Sequence, residues 1–244
     1  MGKSSKDRDR RAVVEQMRRD QERAEKKRTF AIIAACAVVA LVIVGLAVYP
    51  LLGEDQAAAG DLETIGASAA KAGCQDVTTA PATGSAVHKS EGETIAYQDA
   101  PPAFGPHYPA PAPMTRKFYT EDDRPPVEYL VHNLEHGYNI LWYDETVAAD
   151  DGLLKEIEDI AGKFPGSTDP RNKFIAAPWT SEDGADFPQG SHIALTHWSA
   201  GGTSGGEPSD QEGIWQYCEA PSGEAVASFV EDYPFTDSPE PNAA

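Results

Sequence analysis

The sequence YNILWY at residues 138–143 gives the strongest indication of the fold, and it runs directly into Asp144 and Glu145. Aromatic and aliphatic side chains dominate it, and an apolar run of this length that ends at acidic residues predicts a buried strand. Residues 147–163 follow with leucines and isoleucines at helical spacing, which predicts an amphipathic helix. A strand joined to a helix is therefore the centre of the predicted domain.

Segments on either side of this centre extend the same pattern. Further strands are predicted at residues 173–177 and 192–198, an apolar segment at 215–218 and a last helix at 223–233. Residues 100–126 are rich in proline and predict irregular chain. Strands interleaved with helices in one small body predict the α+β class, because a doubly wound sheet needs more strand-helix pairs than this chain supplies.

Residues 30–52 form a run without any charged side chain. At about 1.5 Å per residue a helix of this length covers roughly 34 Å, which is enough to cross a hydrocarbon core of about 30 Å. Residues 1–28 carry 11 Lys/Arg and 6 Asp/Glu, and flanking positive charge stays on the cytoplasmic side of a membrane. The sequence thus predicts a cytoplasmic charged helix, continuous with one transmembrane helix, and an extracytoplasmic remainder.

The apolar run has two alternative interpretations, a cleaved signal peptide and a lipoprotein signal. A cleaved signal peptide would need a shorter apolar stretch with a small-residue cleavage site soon after it. Residues 33–36 resemble a lipoprotein cleavage box, but cutting there would leave a long apolar segment at the new terminus. The predicted organisation is a cytoplasmic helix at residues 1–29, a transmembrane helix at 30–52, a linker at 53–72, an extracytoplasmic domain at 73–235 and a disordered tail at 236–244.

The chain beyond its leader is strongly acidic. The formal net charge is −19, and because residues 1–28 contribute +5, the remainder carries −24. Such a surface repels nucleic-acid phosphates and anionic lipid headgroups, which excludes nucleic acid from the predicted partners. The acidic residues are scattered rather than clustered, which favours solubility or adaptation to a salty medium over attraction of cations.

Cys74 and Cys218 are the two cysteines that follow the apolar run. They lie near the two ends of the predicted domain in a compartment without a reducing thiol pool, which predicts one structural disulfide. Two metal ligands or two free thiols are the alternatives. Without a Cys-x-x-Cys spacing the pair does not indicate a thioredoxin-type redox site.

The residues that could carry chemistry concentrate in VHNLEHG at residues 131–137. His132, Glu135 and His136 match the inverted zinc-peptidase pattern, in which two histidines bind the metal and the glutamate activates water. That mechanism needs a helix, because residues four apart lie about 13 Å apart in a strand and could not bind one ion. Prolines before the motif and a glycine after it suggest a short helix, yet a strand follows at once, so the conformation of residues 127–136 stays open.

Two other interpretations of these histidines do not involve hydrolysis. His107 lies in a Pro/Gly loop and could close on His132 and His136 to form a three-histidine site for copper or zinc. Alternatively, these histidines hydrogen-bond backbone groups of the proline loop, and Glu135 pairs with one of them. The other three histidines, which we predict to be surface or strand-packing residues, are His88, His192 and His197.

The predicted function is a binding or structural role for the extracytoplasmic domain, with the three-histidine site as its candidate metal centre and no catalytic residue assigned. One alternative is a zinc-dependent hydrolase with Glu135 as its base. Another is an accessory subunit of a membrane complex, whose anchors, if exposed, would be Trp142, Trp198 or Trp215. Fingerprints of other enzyme classes, such as a nucleophile elbow or a phosphate-binding glycine loop, are not found in the sequence.

At these residues the chain resembles a known family. GPHYP at residues 105–109, LVHNLEHGY at 130–138 and ILWY at 140–143 are similar to blocks of the domain of unknown function 3105 family of bacterial membrane-anchored proteins. ALTHW at 194–198 is similar to a later block that usually reads Leu-Thr-Ala-Trp, so His197 departs from the pattern. The resemblance covers about residues 72–235 and implies the bacterial cell membrane and a topology, but no activity.

Overall fold

The computed structural model describes residues 62–82, 87–202 and 208–243. The predicted cytoplasmic helix at residues 1–29, the predicted transmembrane helix at 30–52 and residues 53–61 of the predicted linker lie outside these ranges. Of the helices within them, none is both long and apolar enough to cross a membrane.

A five-stranded mixed sheet forms the centre of the described domain, with strand order β1-β5-β4-β2-β3. The strands are β1 Thr78–Pro81, β2 Asn139–Tyr143, β3 Phe174–Pro178, β4 Ile193–Ser199 and β5 Glu212–Cys218. β2 pairs in parallel with β3, and every other neighbouring pair is antiparallel. The predicted α+β class is confirmed, because one short parallel unit is set into an otherwise antiparallel sheet.

Four α-helices accompany this sheet in the described residues: α1 Val127–Glu135, α2 Glu145–Ala148, α3 Asp151–Ala161 and α4 Gly223–Asp232. Two 3-10 turns lie at Pro170–Asn172 and Pro208–Asp210. α2 and α3 form the crossover that parallel pairing of β2 and β3 requires. Residues 100–126 contain no helix or strand, as their proline content predicts.

Side chains alternate along the strands, so the sheet buries a different core on each side. We call the side covered by α3 and α4 the helical face, and the side covered by α1 and residues 100–126 the loop face. Core residues of the helical face include Leu141, Tyr143, Phe174, Leu195, Ile157, Ile160, Val226 and Phe229. Core residues of the loop face include Ile140, Trp142, Ile175, Ala194, Trp198, Leu130, Val131 and Leu134.

The predicted helix at residues 147–163 is two helices rather than one. Asp144 caps the first, because its side chain accepts hydrogen bonds from the N–H groups of Thr146 and Val147. Asp150 caps the second in the same way, through the N–H groups of Gly152 and Leu153. A second N-cap inside the apolar pattern therefore ends one helix and begins another.

Residues 62–72 do not behave as the predicted linker. Leu62 and Ala72 are buried, and Leu62 belongs to the core of the helical face. Gly66 forms an isolated bridge with Ser222, the N-cap of α4. The domain thus begins at least ten residues earlier than expected, because this segment covers the amino-terminal end of α4.

The predicted disordered tail is also wrong for residues 236–243, which pack on the domain. Asp237 accepts hydrogen bonds from Ser199 Oγ at 2.8 Å and from the Ala200 and Gly202 N–H groups at 3.0 and 2.9 Å. Ser238 is fully buried. Prolines and small polar residues in the tail are typical of a disordered segment. The contacts that order this tail come from parts of the chain that are distant in sequence.

The predicted disulfide between Cys74 and Cys218 is confirmed. Cys218 ends β5 and lies in the core of the helical face, and Cys74 packs against that core from the start of the domain. The cross-link closes a sequence separation of 144 residues. Because a closed loop of that length restricts the unfolded chain strongly, this bond should contribute up to about 5 kcal/mol to the free energy of unfolding.

Candidate metal centre

Helix α1 settles the conformation that the sequence left open. It begins after Pro126 and its last residue, Glu135, is followed by His136 as the C-cap. Gly137 then turns the chain into β2 with a φ of 89°, and a Cβ at this position would lie 2.3 Å from the Phe235 carbonyl oxygen. Only glycine fits such a turn without strain.

A buried asparagine on α1 holds the proline loop against the helix. Asn133 Oδ1 accepts a hydrogen bond from the Ala112 N–H at 2.9 Å, and Asn133 Nδ2 donates to the Ala112 carbonyl at 3.0 Å. The Tyr108 N–H donates to the Glu128 carbonyl at 3.4 Å. These contacts bring His107, one residue before Tyr108, over the face of α1.

His88 reaches the same place through the backbone. The Lys89 N–H donates to the His107 carbonyl at 2.7 Å, and the His107 N–H donates to the Val87 carbonyl at 3.1 Å. This parallel bridge sets the rings of His88 and His107 with their centroids 4.8 Å apart. His88 also stacks on His132 with an interplanar angle of 18°.

Four side chains converge at this point: His88, His107, His132 and Glu135. One potential ligand atom from each lies within 4.8 Å of the others. Glu135 Oε2 is 3.0 Å from His107 Nε2 and 3.9 Å from His88 Nε2. We call this group the His₃Glu cluster; three of its members are buried, and His88 forms its exposed side.

Backbone carbonyls fix the orientation of both buried rings. His107 Nδ1 lies 2.8 Å from the Gly105 carbonyl oxygen, and His132 Nδ1 lies 2.5 Å from that of Tyr108. A carbonyl only accepts, so each Nδ1 carries the proton and each Nε2 faces the cluster. A neutral His107 would then point a lone pair at the Glu135 carboxylate, and that contact needs a cation between the two atoms: a proton or a metal ion.

The electrostatics of the cluster favour an ionised Glu135 and a neutral His132. Burial acts to raise the pKa of Glu135, but the hydrogen bond from His107 and the three neighbouring histidines outweigh it, so this pKa is lowered. Burial lowers the pKa of His132, and the neighbouring His107 and His88 act in the same direction. An ionised glutamate beside an unprotonated imidazole is the state that binds a metal ion.

The structure brings together two of the three predicted metal ligands. His107 and His132 are in the His₃Glu cluster, whereas His136 lies beside it, with its Nε2 2.9 Å from His132 Nε2. His88, predicted to be isolated, is the member that sequence reasoning missed. It lies 19 residues before His107 in a stretch without a motif, and only the backbone bridge reveals it.

The remaining histidines are placed elsewhere. His192 Nδ1 is 2.7 Å from Asp144 Oδ2, beside a cavity of about 350 Å³ that includes none of the cluster residues. His197 is fully buried in β4, with Nε2 2.6 Å from the Asp237 carbonyl oxygen and Nδ1 3.2 Å from that of Tyr138. The strand-packing role predicted for His197 fits this position.

The three tryptophans considered as docking anchors are buried, at 0, 0 and 5 % exposure: Trp142, Trp198 and Trp215. Each indole N–H is used inside the domain. Those of Trp142 and Trp198 donate to Thr196 and Gln211, and that of Trp215 donates to the Pro101 carbonyl. These side chains hold the loop face together and offer no exposed docking surface.

Three imidazoles and one carboxylate form a donor set that suits zinc or copper. In a tetrahedral site with bonds of 2.0–2.2 Å, neighbouring donor atoms lie about 3.3 Å apart. The 3.0 Å between His107 Nε2 and Glu135 Oε2 is already close to that spacing. The hydrogen bonds from Nδ1 of His107 and His132 to backbone carbonyls are of the kind that orient ligating histidines in metalloproteins.

Comparison with known proteins identifies the family of this chain but no activity. Residues 88–244, well over half of the chain, match the model of the family described as "Protein of unknown function (DUF3105)". No curated protein and no solved structure matches the chain. The matched segment begins at His88, so it contains the whole His₃Glu cluster. The chain therefore belongs to the DUF3105 family.

Proposed function

We propose that this protein is a membrane-anchored, extracytoplasmic metal-binding protein that holds one zinc or copper ion at the His₃Glu cluster. Its ligands would be Nε2 of His107 and His132, the Glu135 carboxylate, and the His88 ring on the exposed side. The role is binding or structural, with no catalytic step assigned. The ion would enter and leave past His88, because the other three ligands are buried.

The observation that carries the proposal is the arrangement of acceptors around His107. Its Nδ1 faces the Gly105 carbonyl at 2.8 Å and its Nε2 faces the Glu135 carboxylate at 3.0 Å, so oxygen acceptors lie on both sides of one buried ring. His132 resembles His107 in this respect, because its Nδ1 also faces a backbone carbonyl, that of Tyr108. A metal ion on Nε2 satisfies every one of these groups at once.

A histidine–glutamate ion pair is the competing explanation for the same geometry. It would place a second proton on His107, could add His88 at 3.9 Å from the same oxygen, and would leave His132 without a role in the pair. The convergence of two further rings on one carboxylate, both within 4.8 Å, supports the metal instead. A buried ion pair of one histidine and one glutamate needs no such ring of neutral donors.

The hydrolase alternative is less well supported. The helical arrangement that it requires is present, since His132 in α1 and His136 at its C-cap lie one turn apart, with ring centroids 4.4 Å apart in an edge-to-face arrangement. Its base, however, must be free to take a proton from a metal-bound water. Glu135 instead hydrogen-bonds His107 and is itself in position to be a ligand.

The membrane anchor is proposed from residues 30–52 and the cationic leader before them. The Cys74–Cys218 disulfide supports an oxidising, extracytoplasmic location for the domain. In intact bacterial cells, an affinity tag at the amino terminus should resist external protease, while a tag at the carboxyl terminus should be cleaved. Cleavage of the amino-terminal tag, or release of the chain into the medium, would refute the anchor.

Metal binding can be tested on the full-length chain purified in detergent. After equilibration with Zn²⁺ or Cu²⁺ and removal of free ion, we expect bound metal by mass spectrometry of the elements. His132→Ala and Glu135→Gln should weaken binding by more than the about 10- to 100-fold that loss of a ligand's hydrogen-bond partner causes. Circular dichroism would verify that both variants are folded.

His192→Ala provides the matched control, because His192 is also paired with a carboxylate but lies outside the cluster. It should retain the metal with unchanged affinity. A wild-type chain without bound zinc or copper would refute the proposal. So would an equal loss of affinity in His192→Ala and His132→Ala, since the metal would then not be held at the cluster.

A further inference from the structure

The carboxyl-terminal segment returns to the end of helix α1, where the cluster residues lie. The Glu240 N–H donates to the Glu135 carbonyl at 2.9 Å, which joins the segment directly to the last residue of α1. This backbone contact places the Glu240 side chain beside His136. The carboxylate of Glu240 has its Oε2 3.6 Å from His136 Nε2.

A buried lysine fixes the segment in this position. Lys173 Nζ donates to the His136 carbonyl at 2.8 Å and to the carbonyls of Pro241 and Ala243, both at 2.9 Å. Lys173 is only 5 % exposed, so these three carbonyls take the place of water around its ammonium group. One cation therefore ties the end of α1 to the residues on either side of position 242, and Glu240 cannot move far from His136.

Glu135, His136 and Glu240 form a second group whose potential ligand atoms lie within 4.8 Å of one another. Glu135 and His136 are 3 % and 6 % exposed, while the Glu240 side chain is about half exposed. Glu135 belongs to both groups. A single buried carboxylate is thus shared by the two groups.

We propose that His136 and Glu240 hold a second divalent metal ion, and that Glu135 bridges the two ions as a shared ligand. The proposal rests on the proposed function, because the shared ligand is already assigned to the first ion. Carboxylate-bridged pairs of this kind hold their ions about 3.5–4 Å apart. The second ion would be one that accepts mixed carboxylate and imidazole ligands, such as Zn²⁺.

The contact between His132 and His136 is consistent with two ions rather than one. Their Nε2 atoms are 2.9 Å apart. His136 is nevertheless absent from the group of His88, His107, His132 and Glu135, whose ligand atoms all lie within 4.8 Å of one another, and it groups with Glu135 and Glu240 instead. Each ring is therefore assigned to its own ion. In the metal-free protein the same two nitrogens share one N–H···N hydrogen bond.

The two sites should differ in strength. The first has four protein ligands, three of them buried, whereas the second has three ligands and ends at a half-exposed glutamate. Because water can replace Glu240 more readily than a buried ligand, we expect the second ion to bind more weakly and to exchange first. Titration with metal should therefore fill the sites in sequence.

The test compares the full-length chain with Glu240→Gln. Glutamine keeps the size and the backbone contact of this half-exposed residue, so the variant should fold. After equilibration with Zn²⁺, we expect two ions per chain in the wild type and one in Glu240→Gln. Glu231→Gln, a change at an exposed glutamate of α4, is the matched control and should keep two.

Loading with Cu²⁺ gives a second readout that reports proximity. Two copper ions bridged by one carboxylate should couple magnetically, so the wild type should lose most of the ordinary mononuclear electron paramagnetic resonance signal. Glu240→Gln should recover that signal at one spin per chain. A wild type with one ion and an uncoupled signal would overturn the second site and leave the first intact, whereas a wild type without any ion would overturn both.

Discussion

The helical face and the loop face are packed on the same five strands, yet they bury different kinds of residue. Between α3, α4 and the sheet the helical face is built mainly from aliphatic and aromatic side chains, and the disulfide lies at its edge. On the loop face, α1 packs Leu130 and Leu134 into an apolar core and carries His132 and Glu135 into a polar cluster. The packing core and the proposed metal ligands are thus largely separate sets of side chains.

The free-energy cost of burying the cluster explains why it lies apart from the packing core of the helical face. Burying a charged carboxylate is unfavourable unless it is paired, and each ring of the cluster needs its own hydrogen-bond partner. The proline loop supplies those partners as fixed backbone carbonyls, which a packed helix could not, because its carbonyls are already used. A loop over a sheet is therefore suited to hold the site, while the opposite face supplies the packing energy.

The largest change in the free energy of unfolding is expected for Ile157→Ala in α3. Ile157 is fully buried on the helical face, so its truncation leaves a cavity and should lower the free energy of unfolding by about 2–5 kcal/mol. Metal affinity should not change, because Ile157 belongs to the core of the helical face, whereas α1 and the cluster lie on the loop face. Urea denaturation and metal titration of the same sample measure both quantities.

Leu153→Ala is the matched control, since Leu153 lies in the same helix but is only partly buried. It should lower the free energy of unfolding by clearly less. If Ile157→Ala weakened metal binding as much as it weakens the fold, the two faces would not be independent.

Asn133→Ala should have a smaller effect, but it should lower both the free energy of unfolding and the metal affinity. The substitution leaves the Ala112 N–H and carbonyl without partners, which should lower the free energy of unfolding by about 1–3 kcal/mol. Because the same loop carries His107, zinc affinity should fall as well. Asn172→Ala removes one exposed side-chain bond to the Pro165 carbonyl and should change neither quantity measurably.

The outcome decides whether the loop is preorganised by α1. If Asn133→Ala reduces stability while zinc affinity stays at the wild-type value, the loop holds His107 without the asparagine. The cluster would then depend on the backbone bridge to His88 and on the bond to Gly105 instead.

The two faces also differ in how far the sequence predicts them. The central strands and α4 of the helical face follow local apolar periodicity, so the predicted bounds agree with residues 139–143, 174–178 and 223–232 within a residue or two, although α2 and α3 were expected as one helix. β1 was missed because it is a four-residue edge strand that ends in Pro81, and such a segment carries almost no periodic signal.

The site was only half predictable for a different reason. His132 and Glu135 share one short motif, and His107 stands out in its proline loop, so local sequence identified them. His88 and Glu240 join through backbone contacts to residues far away in sequence, His107 and Glu135. The same holds for Lys173, whose three carbonyl partners ordered a segment that composition alone indicated to be disordered.

His88→Ala tests the cluster at its exposed edge. Since three ligands remain, zinc affinity should fall by about 10- to 100-fold rather than vanish, which corresponds to about 1.4–2.8 kcal/mol. The free energy of unfolding of the metal-free protein should be almost unchanged, because surface substitutions are usually within about 0.5 kcal/mol. Lys89→Ala, at the neighbouring half-buried position, is the control and should keep the wild-type zinc affinity. Equal affinity of His88→Ala and wild type would restrict the site to its three buried ligands.

The smallest effect concerns His197, the histidine that lies on the helical face and contacts Tyr233. Burial lowers the pKa of His197 from its ordinary 6.5 in the folded protein. The stability that comes from burying the neutral ring is therefore complete above about pH 6.5 and is lost as the pH falls from there toward the folded pKa, since the unfolded chain binds a proton that the folded protein excludes.

For the metal-free protein, this titration should lower the free energy of unfolding by at most about 1.4 kcal/mol per pH unit below pH 6.5. His197→Gln should be less stable at neutral pH, because a fully buried ring is replaced, but its stability should fall less steeply between pH 7 and pH 5. Urea midpoints measured across that range test the slope. Parallel profiles for the two proteins would mean that His197 takes up its proton in the folded state, where its two ring nitrogens already face the carbonyls of Tyr138 and Asp237.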